Sequence, residues 1–457
     1  MNIRILYVPI GVGTYHMETA GAAFDASAAL LQKLRTKLDF GLDQPEAPLL
    51  TTDAVKAFMA GKTPDLVILQ NITFANAAYI SEVLRVYNGP IVLWTLREPV
   101  SETGGRLKLN SLTGSFSAAN TYHQLRDDEP IRLFGSADEA EVEERLKKII
   151  RALCAVKELG NLRLAQIGHT PQGFGFGRGL DAEMLKVFGT ELVSVEAREL
   201  IRKAESYAYE DCQFFEAEAK ERIVGLEQMP EKNVRDFIRL YRAYQEFVVE
   251  QRIGALSSRC WPDFFVEYGT PVCSVLSILN ALGIPSACEA DTYGALSMAV
   301  GTFLTGEACF FGDPVALSEE ENTLTFWHCG MAACSLARED TGACVGVHPN
   351  RKIGPTMEFG AKAAKEVTIL RIGKDRDGSF RLFASSGSCP DKPRQYLGTS
   401  MVVETSIPVR ALVDHLLQDG FEPHYAVAYG DITEELKLVA GLLHIPFAEY
   451  QIGRAHV

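Results

Sequence analysis

The sequence lacks three features that would place it in a common class: a run of basic residues, a long apolar stretch and a closely spaced cysteine motif. Its 457 residues carry 45 Lys and Arg against 59 Asp and Glu, which gives a formal net charge of −14. Because binding to duplex nucleic acid requires a basic face that displaces counterions from phosphates, nucleic acid is excluded as the expected ligand. No apolar stretch reaches the roughly 18 to 20 residues that span a bilayer, so we expect no membrane partner.

Ten cysteines are present, but none of them forms a CxxC pair. The closest spacing, from Cys329 to Cys334, fits neither a zinc-binding nor a redox motif. The apolar run at the N-terminus ends at a Gly-Val-Gly turn rather than at a small-residue cleavage site, which predicts a first β-strand instead of a signal peptide. We therefore expect a cytoplasmic protein whose cysteines are reduced and lie in its core and its site.

The composition that is present is ordinary for a globular protein, with 47% hydrophobic and 23% charged residues in a chain long enough for about two to four domains. In the first third, apolar strand-like runs alternate with amphipathic helical stretches. Strands are predicted at residues 3–9, 66–70 and 91–95, and helices at residues 22–38, 77–87 and 136–159. Such alternation is typical of a parallel sheet with helices on both faces.

A second cycle of the same kind follows. Strands are predicted at residues 162–167, 192–195, 253–257 and 285–288, and helices within residues 211–251 and at 271–282 and 292–304. Thr270 with Pro271, and Asp291, are expected at the starts of the last two helices. A glycine-rich segment at residues 173–179 follows the first of these strands, but no acidic residue ends the next one, so the segment does not match a dinucleotide-binding motif.

Beyond residue 312, short runs separated by turns predict an antiparallel sheet or small barrel, closed by a helix at residues 434–443. These strands are predicted at residues 324–327, 368–372, 380–384 and 401–405. The expected fold class is therefore α/β, with two Rossmann-like α/β domains followed by a C-terminal antiparallel β-rich, barrel-like domain. The predicted boundaries are residues 1–157, 158–312 and 313–457.

Two carboxylates are singled out by their positions. Glu267 and Asp291 each follow a strand of the second domain and precede its next helix, so both lie at the sheet edge where open α/β folds bind ligands. Simpler interpretations exist, because an aspartate before a helix is usually an N-cap and a loop glutamate is usually solvated. Glu289 could instead be the functional acid of its loop.

Two histidines at strand ends, His328 and His424, extend this set. A lone histidine at such a position is usually structural. Two carboxylates with one or two imidazoles, however, form an oxygen-rich set of ligands that suits Mn²⁺ better than Zn²⁺. The pattern indicates an open-sided divalent site for an oxygen-bearing ligand.

Residues 258–314 contain four features that belong together: Cys-Trp-Pro, the separation of 24 residues between Glu267 and Asp291, Cys-Glu-Ala-Asp-Thr-Tyr-Gly-Ala, and Leu-Thr-Gly-Glu-Ala-Cys-Phe-Phe-Gly-Asp-Pro. With these features the segment resembles the L-fucose isomerase family. Family members have an acid pair at this spacing, and the second acid opens a helix. The resemblance extends more loosely over the whole chain, and the family has the same three-domain order.

The resemblance implies a set of metal ligands. Glu267, Asp291 and His424 would coordinate Mn²⁺ or another divalent ion. His328 occupies the place of a metal-binding histidine in the related L-arabinose isomerases, so it is expected to be a fourth ligand or a substrate contact. Those enzymes carry a His-His pair where this chain has Pro423 and His424, which weakens L-arabinose as the expected substrate.

The implied activity is aldose–ketose isomerisation of a free sugar, which is L-fucose-like, a pentose or an acidic or sulfonated hexose. A proton moves between C2 and C1 through a cis-enediol, and Glu267 and Asp291 would serve both as ligands and in proton transfer. On this hypothesis Glu267→Gln abolishes turnover. Arg259 and Trp261 are candidate contacts for sugar hydroxyls. The alternatives are a non-catalytic sugar-binding or sensing protein and a metal-dependent hydrolase or lyase.

The resemblance also implies a homo-oligomer, a trimer or hexamer, with sites near the subunit contacts. Arg97 and Asn110 of the first domain are therefore candidates for the site of a neighbouring subunit. At the other end, residues 452–457 read like a translated sequencing adapter. We expect the natural chain to continue further, and His456 is not counted as a ligand.

Overall fold

The computed structural model describes residues 3–100 and 104–450 of the chain. It divides into two compact units, Met1–Cys154 and Ala155–Val457, each of which is taken by itself below. The predicted boundaries of three domains stay a prediction. The adapter-like residues from 452 onward, including His456, lie outside the described part.

A five-stranded parallel sheet lies at the centre of the first unit. Its elements are β1 (Arg4–Ile10), α1 (Met17–Leu38), β2 (Gly41–Asp43), α2 (Thr52–Met59), β3 (Leu66–Asn71), α3 (Ala77–Leu84), β4 (Ile91–Thr95), α4 (Ser111–Leu125), β5 (Ile131–Phe134) and α5 (Ala140–Asn161), which continues past Cys154. The strand order is β2-β1-β3-β4-β5. Every residue of β3 is buried, as expected for a central strand with both faces covered. The predicted parallel sheet is confirmed here.

A four-stranded parallel sheet forms the first part of the second unit. Its elements are β6 (Arg163–Ile167), α6 (Asp181–Phe188), β7 (Glu191–Val195), α7 (Ala197–Ser206), α8 (Gln213–Arg222), α9 (Glu231–Gln251), β8 (Ala255–Ser258), α10 (Cys273–Ala281), β9 (Ser286–Cys288) and α11 (Thr292–Thr305). The strand order is β7-β6-β8-β9. Because the strands are parallel, the segments after β6, β8 and β9 all begin at one edge of this sheet.

A large mixed sheet forms the rest of the second unit. The elements of this part of the chain are β10 (Phe310–Ser318), β11 (Thr323–His328), β12 (Val345–Gly346), β13 (Thr356–Met357), β14 (Phe359–Gly360), β15 (Ala364–Lys374), β16 (Phe380–Cys389), β17 (Thr399–Thr405), α12 (Val409–Gln418), β18 (Tyr425–Tyr429), α13 (Thr433–Leu442) and β19 (Phe447–Ala448). Of these strands, β12 and β13 form a separate two-stranded sheet. The main order is β14-β17-β11-β10-β18-β15-β16-β19, and β16 also pairs with β17. This extra pairing closes six antiparallel strands into a ring. Outside the ring, β14 pairs in parallel with β17, and β19 pairs in parallel with β16.

The starts of two helices test the predicted caps. Asp291 is confirmed as the N-cap of α11, because its Oδ1 accepts a hydrogen bond from the Gly294 backbone nitrogen at 2.8 Å. The prediction for Thr270 and Pro271 is wrong, since α10 begins only at Cys273. The backbone nitrogen of Thr270 instead donates to the carbonyl oxygen of Phe264, so it belongs to the preceding turn.

Three further expectations can be compared with the structure: the helix at 211–251, the absence of a membrane span and the state of the cysteines. The charged helical region at 211–251 is broken between α8 and α9, and Pro230, which has no backbone N–H, stands at the N-cap of α9. In the part of the chain that the structure describes, no helix is both long and apolar enough to cross a bilayer. All ten cysteines lie in that part and carry free thiols, as expected for reduced cysteines.

Candidate active site

His424 lies at the centre of a buried group of polar side chains in the second unit. It directly precedes β18, and only 1% of its side chain is exposed. Its Nδ1 is 2.9 Å from Oδ2 of Asp291. Its Nε2 is 3.1 Å from Oε2 of Glu289 and 3.3 Å from Oδ1 of Asp313. The imidazole therefore contacts one carboxylate through one ring nitrogen and two carboxylates through the other.

His328 completes this group. It ends β11, is 2% exposed, and its ring centroid is 6.0 Å from that of His424. One ligand atom each from Glu289, His328 and His424 lie within 4.8 Å of one another, close enough to share a single metal ion. Glu289, Asp313, His328 and His424 are called the His424 cluster below.

The carboxylates determine the ionisation of the cluster. Burial lowers the pKa of His424, but hydrogen bonds to Asp291 and Glu289 outweigh burial and raise this pKa to about 9. Burial raises the pKa of Glu289, but the hydrogen bond to His424 and the charges of His328 and His424 outweigh burial and lower this pKa. Burial raises the pKa of Asp313, although the charges of His424 and His328 oppose the rise. Asp313 is therefore the carboxylate of the cluster that takes up a proton most readily.

A strained loop between β9 and α11 positions Glu289. Glu289 and Ala290 both lie in the left-handed region, with φ of 57° and 53°. A residue other than glycine in this conformation costs about 1–3 kcal/mol, and such strain is often found at functional sites. The strained turn brings Glu289 and Asp291, which are two residues apart, to opposite ring nitrogens of His424.

Asp291 forms a buried ion pair with Arg371 of β15. Nη1 and Nη2 of the guanidinium are 2.7 Å and 3.1 Å from the two carboxylate oxygens, and neither side chain is more than 1% exposed. Although burial raises the pKa of Asp291, the charge of Arg371 and the contact with His424 hold this pKa far below its usual range. Asp291 therefore stays ionised, and its oxygens bind the arginine, the histidine and the start of α11.

The glycine-rich segment at residues 173–179 packs against this site. The rings of Phe174 and Phe176 lie 6.1 Å and 5.3 Å from the ring of His424, and Phe311 of β10 lies 5.0 Å from it. A Cβ atom on Gly177 would come within 2.8 Å of Cα and Oδ1 of Asp291. Glycine is thus required at residue 177 by close packing, and the segment supplies an apolar wall.

Glu267 lies outside the His424 cluster. It belongs to a π-helical turn, Asp263–Tyr268, where a loop is predicted, and 37% of its side chain is exposed. Nη2 and Nε of Arg198 donate to its two oxygens at 2.7 Å and 2.8 Å, and this pairing lowers the pKa of Glu267. Glu267 and Asp291 are each paired with an arginine, and their role as a metal-binding acid pair stays a prediction.

Of the predicted ligands, the structure brings His328 and His424 together. Asp291 contacts His424 at Nδ1, the ring nitrogen that faces away from Glu289 and Asp313. Glu289 enters the sequence analysis only as an alternative acid, and Asp313 is missed because it lies within a strand. A signal for both existed, since Glu289 and Asp313 are also 24 residues apart.

Arg259 and Trp261, the predicted substrate contacts, lie just after β8. Nε of Arg259 is 3.1 Å from Asp263 and donates to the carbonyl oxygen of Trp261 at 3.0 Å. The Trp261 ring lies 5.1 Å from the guanidinium of Arg351. A role for Arg259, Trp261 or His328 in substrate binding stays a prediction.

The two candidates of the first unit have partners within that unit. Arg97 donates from Nε to Oε1 of Glu139 at 2.7 Å, and Asn110 donates from Nδ2 to the hydroxyl of Tyr15 at 2.9 Å. Their service in the site of a neighbouring subunit stays a prediction, as does the oligomeric state.

The raised pKa of His424 predicts a pH-dependent stability of the metal-free protein. A histidine has a pKa of about 6.5 when unfolded, so the stabilisation from its charged contacts is fully present below pH 6.5 and is lost as the pH rises through about 9. We expect the free energy of unfolding in urea, with chelator present, to fall by about 2–3 kcal/mol over this range. The fall should be absent in His424→Gln, and an equal fall in that variant would assign it to another group.

Comparison with known proteins identifies the family. A family model described as L-fucose isomerase, C-terminal domain, matches residues 328–451. The sulfoquinovose isomerase of Clostridium sp. (strain MSTE9) is 51% identical over 448 residues, which cover 98% of this chain and 99% of the relative. Those of Alkalicoccus urumqiensis and Priestia aryabhattai are 38% and 34% identical, and each alignment covers 98% of this chain and at least 99% of the relative. The chain therefore belongs to the fucose isomerase-like family of aldose–ketose isomerases, together with these sulfoquinovose isomerases.

Proposed function

We propose that this enzyme converts a sulfonated aldohexose, the sulfoquinovose of its relatives' names, to the corresponding ketose and uses Mn²⁺ to do so. The substrate is supported by three relatives that are 34–51% identical and align over nearly the whole chain. Among the sugars predicted from the sequence, this similarity favours the sulfonated hexose over L-fucose-like sugars and pentoses.

The metal is supported by the surroundings of His424. Its Nε2 faces the carboxylates of Glu289 and Asp313, while its Nδ1 contacts Asp291. A histidine that binds a metal commonly donates its other ring N–H to a carboxylate, which fixes the ring. Asp291 has this position, so we assign it to orienting His424.

The ligands of the ion would be Glu289, Asp313 and His424, with His328 as a fourth ligand or a substrate contact. Two carboxylate oxygens and one or two imidazole nitrogens form a set that fits Mn²⁺. The three ligand atoms of Glu289, His328 and His424 that lie within 4.8 Å of one another fit a single ion.

The residues of the His424 cluster have different roles in isomerisation. A divalent ion supplies stabilisation of the negative charge that develops on the two neighbouring sugar oxygens. Asp313 is 32% exposed and lies 3.3 Å from Nε2 of His424, so it is placed to accept the proton from C2 and return it to C1. Glu289 is 18% exposed and has a lowered pKa, so it stays ionised. The apolar wall of Phe174, Phe176 and Phe311 limits the access of water to His424.

Removal and return of the metal test this proposal. Protein treated with a chelator and dialysed is expected to lose isomerisation of sulfoquinovose and to regain it with Mn²⁺. Ketose formation is followed by NMR, with L-fucose and L-arabinose as comparison sugars. Full activity in protein shown to be free of metal, or a clear preference for either comparison sugar, would contradict the proposal.

A further inference from the structure

The loop between β12 and β13 brings two hydrogen-bond donors together without an acceptor between them. The backbone nitrogens of Asn350 and Arg351 both lie 3.3 Å from Nδ1 of His348 and donate to it, which places the ring proton on Nε2. That Nε2 lies 3.4 Å from Nη1 of Arg351. Because a guanidinium has no acceptor, the two N–H groups cannot bond to each other. An acceptor that satisfies both must come from outside this loop.

The guanidinium of Arg351 is held by aromatic rings rather than by an acid. It lies 5.1 Å from the ring centroid of Trp261 and 4.9 Å from that of Phe265. Three other arginines of the second unit, Arg198, Arg259 and Arg371, each contact a carboxylate. Among the residues that the structure describes, Arg351 forms no ion pair with a carboxylate. A half-buried, stacked guanidinium of this kind is suited to bind an anion through two parallel hydrogen bonds.

The loop is tied to the candidate active site through its second strand. The backbone nitrogen of Met357 in β13 donates at 3.0 Å to the carbonyl oxygen of Gly330, two residues beyond His328. His348 is 2% exposed, and its ring meets Phe265 edge-on at 4.9 Å.

Burial and nearby charges determine the ionisation of His348. Burial lowers the pKa of His348 to about 4, the charges of Arg351 and His328 add to this effect, and the charge of Glu289 opposes it. His348 is therefore neutral at physiological pH. A neutral ring that accepts at Nδ1 is a donor at Nε2.

We infer that Arg351 and the Nε2–H of His348 bind the anionic group of the sugar substrate while its carbonyl end lies at the His424 cluster. The inference rests on the proposed function, which supplies the sulfonate group. A sulfonate offers three acceptor oxygens, so it can accept from the guanidinium fork and from the imidazole at once. Arg351 thereby becomes a residue that selects a sulfonated hexose over a neutral one.

Replacing Arg351 with Met tests this role. We expect the KM for sulfoquinovose to rise by about 10- to 100-fold, because charge-assisted hydrogen bonds are lost, while kcat changes much less. Turnover of quinovose, the same sugar without the sulfonate, should keep its kcat/KM. Inorganic sulfate should inhibit the wild-type enzyme competitively and should inhibit Arg351→Met at least about tenfold more weakly.

The matched control is Arg235→Met, because the guanidinium of Arg235 also lies over an aromatic ring, that of Tyr209 at 4.8 Å, but pairs with Glu231. Arg235→Met should leave the KM for sulfoquinovose and the inhibition by sulfate unchanged. If Arg351→Met does not fold, Arg351→Lys keeps the charge, loses the fork and should show the same changes to a smaller extent. An unchanged KM for sulfoquinovose and unchanged inhibition by sulfate would overturn the inference. A wild-type enzyme that does not isomerise sulfoquinovose would instead overturn the proposed function.

Discussion

Replacing Glu289 with Gln is expected to reduce kcat/KM for isomerisation by about 10³-fold and to remove most of the Mn²⁺ from the purified protein. The carboxylate oxygen of Glu289 is 3.1 Å from Nε2 of His424, and the loop holds it there at the cost of two left-handed residues. The amide keeps the size of the side chain and removes its charge, so the loss would report on metal binding and catalysis rather than on packing. Turnover and metal content per chain are the two measurements.

Glu267→Gln is the matched control, because it makes the same chemical change 22 positions earlier in the sequence. Glu267 pairs with Arg198 at an exposed position, and such pairs contribute little to stability. We expect turnover and Mn²⁺ content close to those of the wild type. Loss of activity in Glu267→Gln together with retention in Glu289→Gln would instead support the acid pair that the sequence predicts.

The fold of the parallel sheets is readable from the sequence for a physical reason. A strand that is covered on both faces is mostly apolar, so β1, β3 and β4 each contain an uninterrupted run of at least four apolar residues. The start of α10 is not readable in this way. Thr270 and Pro271 are good capping residues, but the π-helical turn before them uses the backbone of Thr270, which no local pattern shows.

The site is only partly readable, because sequence spacing does not show which carboxylates meet. A separation of 24 residues fits Glu267 with Asp291 and equally fits Glu289 with Asp313. The choice depends on two facts of the fold. Asp291 points into the interior, where Arg371, distant in sequence, neutralises it. Asp313 is brought to Nε2 of His424 by the pairing of β10 with β18.

Replacing Arg371 with Met is expected to lower the free energy of unfolding by about 3–5 kcal/mol. The guanidinium is fully buried and makes two hydrogen bonds to the equally buried Asp291, so its removal leaves a buried carboxylate that has lost one of its two charged partners, Arg371 and His424. The contact with Arg371 also lowers the pKa of Asp291 in the folded protein. The stabilisation from this ion pair is therefore present above the unfolded pKa of about 3.9 and is lost as the pH falls through the lower folded pKa. In the variant the folded pKa of Asp291 lies closer to its unfolded value, so this loss of stability on acidification should be smaller.

A double-mutant cycle separates the ion pair from packing. Asp291→Asn alone should be similarly destabilising, since it leaves Arg371 buried and charged. The two replacements together should lower the free energy of unfolding by less than the sum of the single ones, because the two opposite charges are removed together. Urea unfolding of the four proteins gives the coupling. The variant with both replacements should bind Mn²⁺ more weakly than the wild type, because His424 loses the Asp291 carboxylate that orients it. Additive effects would show that the pair contributes nothing beyond the two side chains, and normal Mn²⁺ binding would show that Asp291 does not position His424.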